Sequence, residues 1–111
     1  LVCDVLNLDQ YLEEADVVIT GEGSVDSSTV YNKAPVGVAK RAKQFGVSVI
    51  AVSGFLGAGY EAVYDHGIDG IVSIQDRPMS MKVSLNESRR LLTESTSRAM
   101  KLVRIGGSLN I

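Results

Sequence analysis

This sequence predicts an α/β fold of three layers, α/β/α and Rossmann-like, with a mostly parallel sheet of about four strands between helices. Three observations carry that reading. Four short apolar runs rich in β-branched residues recur along the chain, at residues 1–5, 16–20, 47–53 and 70–74. The segments between the later runs have helical spacing, and polar or glycine-rich loops follow the runs. Strict alternation of strand and helix builds a parallel sheet with helices on both faces and right-handed crossovers.

Each element has its own signature. The four runs are continuously apolar instead of alternating, the pattern of strands covered on both faces. Val38, Ala39, Ala42 and Phe45 share one helix face, with Lys40, Arg41, Lys43 and Gln44 opposite. Pro35 suits the first turn of that helix and Gly46 its left-handed stop. A shorter helix is expected over residues 59–66, ending at Gly67. The last helix is the longest, with Leu85, Ser88, Leu92, Ser95, Ala99, Leu102 and Val103 as its apolar and small-residue stripe. Ser84 and Glu87 have capping-box spacing for its start, and Ser80 offers a start one turn earlier.

Composition narrows the function. The chain has 111 residues, 45% hydrophobic and 22% charged, with 11 Lys and Arg against 13 Asp and Glu. That is enough for one core, so residues 1–111 read as a single α/β unit. A slightly acidic chain with 5% aromatic residues lacks the basic field and stacking groups of a nucleic-acid binder, so no nucleic-acid partner is expected. Its apolar stretches fall far short of the roughly 20 residues that span a bilayer, and no signal peptide opens it, so no membrane partner and a cytoplasmic location are expected. Cys3 is the sole cysteine and reads as a small core residue. The chain opens on Leu1, without an initiator Met, like a piece of a longer protein.

In a parallel sheet every loop that follows a strand emerges on one edge, where ligands of open α/β folds bind. The first such loop, from Thr20-Gly21-Glu22-Gly23 through Asp26 to Thr29, holds two carboxylates, five hydroxyls and two glycines. Glycines let backbone approach a ligand, and carboxylates hold Mg²⁺ or accept a hydroxyl proton. Asp26 stands where a dinucleotide fingerprint has its third glycine, and its charge opposes a pyrophosphate, which excludes a nicotinamide cofactor. The plainer alternative is a hydrophilic turn in which Asp26 or Ser27 caps a short helix.

The second loop, Ser53-Gly54-Phe55-Leu56-Gly57-Ala58-Gly59, has glycines at P-loop spacing, but Tyr60-Glu61 replaces the Lys-Ser/Thr pair. What survives is either a glycine turn aimed at a helix N-terminus or glycines that let elements pack closely. Arg77, on the third loop, offers a cation to a carboxylate or phosphate, or is simply solvated. His66, in the last turn before Gly67, reads as structural. No second His supports a metal site, so no metal ligands are assigned.

The ordered series Thr20-Gly21-Glu22-Gly23-x-x-Asp26 with Thr29, then Lys33-Ala34-Pro35-x-Gly37-Val38-Ala39, then Pro78-Met79-Ser80, resembles the C-terminal part of the bacterial glycerate kinase family. The resemblance covers essentially the whole chain. It implies transfer of the γ-phosphoryl of ATP, with Mg²⁺, to a hydroxyl of D-glycerate, giving 2- or 3-phosphoglycerate. Family members are several times longer, with two α/β domains around a cleft, so this chain would be the closing segment and the missing N-terminal part its partner. The resemblance makes Asp26 the general base or a magnesium-linked carboxylate, Lys33 a charge partner for phosphate or carboxylate, and Glu22 a second polar contact. Thr20, Gly21, Gly23, Thr29, Ser53 and Gly54 would shape the substrate-binding loops. Ser24 and Ser28 depart from the family pattern, which often has a basic residue and a glutamine there. Alone, the segment is expected to be inactive and, with bare strand edges, to associate with its own copies as a homo-oligomer.

A non-catalytic α/β module that binds a small molecule or signals is the alternative. A receiver-type module needs an aspartate at a strand end, whereas this strand ends in Thr20-Gly21-Glu22.

Overall fold

A computed structural model of the chain describes residues 8–31 and 33–109. Along them run α1 (Leu8–Leu12), β1 (Val17–Glu22), a 3₁₀ turn (Ser27–Tyr31), α2 (Lys33–Gln44), β2 (Ser48–Ser53), a 3₁₀ helix (Tyr60–His66), β3 (Gly70–Ser73), α3 (Met81–Asn86) and α4 (Ser88–Gly106). The expected strand at residues 1–5, with Cys3, lies outside the described residues. Among those described, the sheet has three strands in the order β1-β2-β3, all parallel.

Register decides where the loops emerge. Glu22 pairs with Ser53 and Ser53 with Ser73, so the strands end flush on one rim. The expected loop at Thr20 therefore begins later. Gly21 and Glu22 are strand residues because Val52 and Ser53 extend the ladder opposite them.

The pleat of β2 sorts the core into two layers. Val49 and Ala51 face one side, where they join Ala39 and Ala42 of α2, Leu12 of α1, Val63 and Ile68. Val52 faces the other side, with Ile50, Met79, Ile74 and Leu91 of α4. Leu91 is 1% exposed, and burying a leucine contributes about 1.5–3 kcal/mol, enough to hold α4 against the sheet.

Burial on both faces holds for β2 and fails for β1, where Ile19 is 42% exposed. The physical reason is placement: α4 packs on the β3 side of the sheet and leaves this part of β1 bare. The expected left-handed stop of α2 is present, with Gly46 at φ 69° and the Val47 amide donating to the Ala42 carbonyl at 3.0 Å. Asp9 pairs with Arg41 at 2.5 Å and ties α1 to α2.

The expected single C-terminal helix is two. Ser80, not Ser84, provides the cap, its Oγ accepting from the Val83 amide at 3.2 Å, and the chain breaks at Glu87. Of the expected stripe, Ser95 and Ala99 are buried and the leucine beside them is Leu91, not Leu92. Leu91, Ser95 and Ala99 are buried at helical spacing, whereas Leu85, Leu92, Leu102 and Val103 are exposed. The helix expected over residues 59–66 is a 3₁₀ helix of seven residues, bounded by the left-handed Gly59 and Gly67.

Among the described residues no helix is long and apolar enough to cross a membrane.

Candidate functional site

Beyond Glu22 and Ser53 the chain does not diverge into two free loops. The Gly54 amide donates to the Glu22 carbonyl at 3.1 Å, and the Val25 amide donates to the Phe55 carbonyl at 2.9 Å. The Gly57 amide returns to the Val25 carbonyl at 2.8 Å and the Ser27 amide reaches the Ala58 carbonyl at 3.1 Å. Val25 and Leu56 form a parallel bridge. The acid-bearing loop and the glycine loop are thus one zipped ledge on the rim of the sheet.

Three glycines of the second loop exist for this contact. A Cβ at Gly54 would lie 2.8 Å from the Gly23 carbonyl oxygen, and one at Gly57 2.9 Å from the Asp26 Cβ. Gly59 has φ +76° and a Cβ there would lie 2.8 Å from the Ser27 Cβ. Gly21 and Gly23 differ: a Cβ at either would meet nothing within 4 Å. Their lack of a side chain serves no packing and leaves backbone open. Both line a groove of about 540 Å³ with Glu22, Gly54, Val52 and Ile74 below and Leu85, Leu92 and Arg89 across from them.

Asp26 is the ledge's chemical feature. Its Oδ1 accepts from the Ser28 amide at 2.8 Å and the Ser28 hydroxyl at 2.5 Å. Its own amide donates to Thr29 Oγ1 at 3.0 Å, and the Thr29 amide donates to its carbonyl at 3.1 Å. The capping alternative is therefore realised: Asp26 organises the 3₁₀ turn that follows it. Doing so uses one carboxylate oxygen. Oδ2 accepts no hydrogen bond among the described residues. The Ser28 hydroxyl first, and its amide second, hold the Asp26 carboxyl below its ordinary value, so it is ionised at neutral pH.

Other expected residues fall into place unevenly. Thr20, Gly21, Glu22 and Gly23 lie on or beside the ledge, and Thr29 is buried beneath it. Ser53 is fully buried, and its Oγ donates to the Phe55 carbonyl at 2.6 Å and accepts from the Phe55 amide at 3.2 Å, so its hydroxyl fixes the turn. Lys33 begins α2, and its side chain lies outside the description. The helix N-terminus expected after the glycine loop offers little to an anion, because the Gly54, Phe55, Gly57, Tyr60 and Ala62 amides all have internal partners.

Arg77 belongs to the scaffold. It pairs with Asp76 at 2.8 Å and Glu87 at 2.9 Å, and Arg90 bonds the same two acids and Glu94. The Arg90 hydrogen bonds are the largest cause that lowers the Asp76 and Glu87 carboxyls from their ordinary values. This network clamps the β3–α3 loop to α4. Asp69 is similarly structural. Its partial burial raises its pKa, but the Lys43 ammonium and the Val49 amide, at 2.7 Å, outweigh that and leave it lowered. His66 is the exposed last residue of its 3₁₀ helix.

Among the described residues no three His, Cys, Asp or Glu side chains gather to hold a metal. A protein cage is therefore absent here, but magnesium needs none, since one or two carboxylates and substrate phosphates suffice. The free Oδ2 of Asp26 and the Glu22 carboxylate, which has no partner among the described residues, fit that weaker requirement.

Sequence reasoning missed Ser28, Phe55, Gly57 and Arg89. Ser28 was recoverable from the habit of aspartate to bond backbone two residues ahead. Phe55 and Arg89 carry no periodic signal.

Comparison with known proteins adds what geometry alone does not. Residues 1–104 match the family described as the glycerate kinase family. A protein named glycerate kinase from Halalkalibacterium halodurans is 50% identical over 95 residues, covering 86% of this chain and 25% of that protein. One named glycerate 2-kinase from Escherichia coli is 39% identical over 74 residues, 67% of this chain and 19% of its own. A crystal structure from Salmonella typhimurium LT2, named as a glycerate kinase 2, superimposes with a TM-score of 0.62 at 34% identity, over 97% of this chain and 27% of that one. The chain spans about a quarter of the length of such relatives.

Proposed function

The chain belongs to the glycerate kinase family, and from that premise we propose that it forms the C-terminal part of a cytoplasmic two-domain enzyme phosphorylating D-glycerate from ATP. The observation that carries the proposal is Asp26, ionised, braced by Ser28 and left with one free oxygen on the rim of the sheet. As the acceptor hydroxyl oxygen bonds to the γ-phosphorus, its proton passes to Asp26 Oδ2. The bond from phosphorus to the β,γ-bridging oxygen breaks, and ADP leaves.

In a loose phosphoryl-transfer transition state the hydroxyl proton departs late, so a carboxylate of low pKa serves as its acceptor. Gly21 and Gly23 bring bare backbone to the substrate, and Thr20, Glu22 and Thr29 supply oxygens around it. Gly54 and Ser53 hold the ledge in shape. Lys33, at the start of α2, is assigned to charge neutralisation of phosphate or the glycerate carboxylate. Magnesium, held through Asp26 or Glu22 and the phosphates, would neutralise charge on the transferring group.

The full-length protein, supplied with ATP, Mg²⁺ and D-glycerate, is expected to form ADP and phosphoglycerate in equal amounts. Absence of any ATP-dependent phosphorylation of glycerate overturns the proposal.

A pH profile tests the role of Ser28. Protonated Asp26 accepts no proton, so activity falls as pH drops through its pKa. The Ser28 hydroxyl is the largest cause of the lowered value. Ser28→Ala in the full-length enzyme removes it, and the acid limb of kcat/KM is expected to move to higher pH. An unmoved limb argues that Asp26 does not set it.

A further inference from the structure

The groove beside the ledge has walls that suit one of the two substrates and not the other. Of about 540 Å³, it has Val52 and Ile74 beneath it and Leu85 and Leu92 across from Gly21 and Gly23. Leu85 is 66% exposed and Leu92 48%, so neither serves the core. Every carbon of glycerate carries oxygen, and such a molecule gains nothing from apolar walls. A nucleotide brings a flat, largely apolar base joined to a polyanion, and the volume lies within the roughly 300–1,000 Å³ of small-molecule sites.

The polar groups around this groove are few and unengaged. Arg77 and Arg90 are held by Asp76, Glu87 and Glu94. Arg89, next to Arg90 on α4, pairs with no acid among the described residues, and it lines the groove. Ser84 is 3% exposed and lines the groove too, yet its hydroxyl makes no hydrogen bond among the described residues. A nearly buried hydroxyl without a partner carries a cost that a bound polar group removes. The Gly23 amide likewise donates to nothing among the described residues, and no side chain stands in front of it. Glu22, on the same groove, opposes a bare polyphosphate but suits its magnesium complex.

We propose, resting on the kinase reading above, that this groove is the nucleotide site. The base seats against Leu85 and Leu92 with the Ser84 hydroxyl on its polar edge, and Arg89 and the Gly23 amide take phosphate oxygens. The glycine loop, whose amides are bonded internally, then has no phosphate to hold. Gly23 opens the loop that carries Asp26, so the polyphosphate and the proton acceptor meet at the end of one strand.

Binding without turnover tests this. Titration calorimetry of the full-length protein, with Mg²⁺ and no glycerate, gives Kd for ADP in the parent, Arg89→Gln and Leu92→Ala. Arg89→Gln is expected to raise Kd about tenfold, as loss of a charge-assisted hydrogen bond does, with the thermal midpoint unmoved because Arg89 holds no acid. Leu92→Ala is expected to raise it about fivefold through lost apolar contact. ADP affinity within twofold of the parent in either variant overturns the inference and leaves the kinase reading standing. Unchanged affinity with a raised KM for glycerate gives the groove to the acceptor, and unchanged affinity with a lowered midpoint gives it to the rest of the chain; both overturn it. A parent that binds ADP in this groove but phosphorylates no glycerate overturns the kinase reading alone.

Discussion

Asp26→Asn in the full-length enzyme is expected to lower turnover by about 10²-fold or more, the usual cost of losing a proton acceptor at the reacting centre. The substitution is nearly isosteric. An amide oxygen at the Oδ1 position still accepts from the Ser28 amide and hydroxyl, which lie at 2.8 and 2.5 Å in the parent, so the turn over Ser27–Tyr31 keeps its cap. The hydrogen bond from the Thr29 amide to the Asp26 carbonyl, at 3.1 Å, is between backbone atoms and survives the substitution. Fold and chemistry are thereby separable: the thermal midpoint stays close to the parent while kcat falls and KM for glycerate changes little. Turnover within about threefold of the parent shows that Asp26 is only the cap of its own turn.

Much of the layer order was legible because continuous apolar runs and helical spacing are consequences of burial. Val49, Ala51 and Val52 are buried on the two faces of β2 as such a run requires. In the C-terminal stripe Ser95 and Ala99 are buried as the spacing expects, but Leu91 takes the place expected of Leu92, just past the break at Glu87. No local pattern announces that break. It is stabilised by Arg77 and Arg90, one of them ten residues away along the chain.

The site was legible to a similar depth. The residue types on the first loop pointed to Asp26, and parallel topology put it on the rim beside Gly54. Spacing alone left every glycine with two explanations. Three-dimensional contact separates them: Gly54, Gly57 and Gly59 admit no Cβ, whereas Gly21 and Gly23 admit one freely. The first group is about packing, and the second is where a functional demand on bare backbone remains.

Gly54→Ala tests that division and is expected to be the most damaging of the small substitutions on the ledge. The added Cβ lies 2.8 Å from the Gly23 carbonyl oxygen, which is backbone and cannot swing aside as a flexible side chain does. Relief requires the two loops to part, which strains the Gly54–Glu22 and Val25–Phe55 hydrogen bonds at 3.1 and 2.9 Å. Overpacking of this kind costs about 1–3 kcal/mol, read as a lowered denaturant midpoint of the full-length protein. Turnover falls as well, because Asp26 and Phe55 sit on opposite sides of the seam being opened. Gly21→Ala is the matched control. Its Cβ meets nothing within 4 Å, so stability is expected to hold, and a rise in KM for a substrate would then report use of the open backbone there. If Gly54→Ala leaves both the midpoint and turnover unchanged, the loops are not zipped as described.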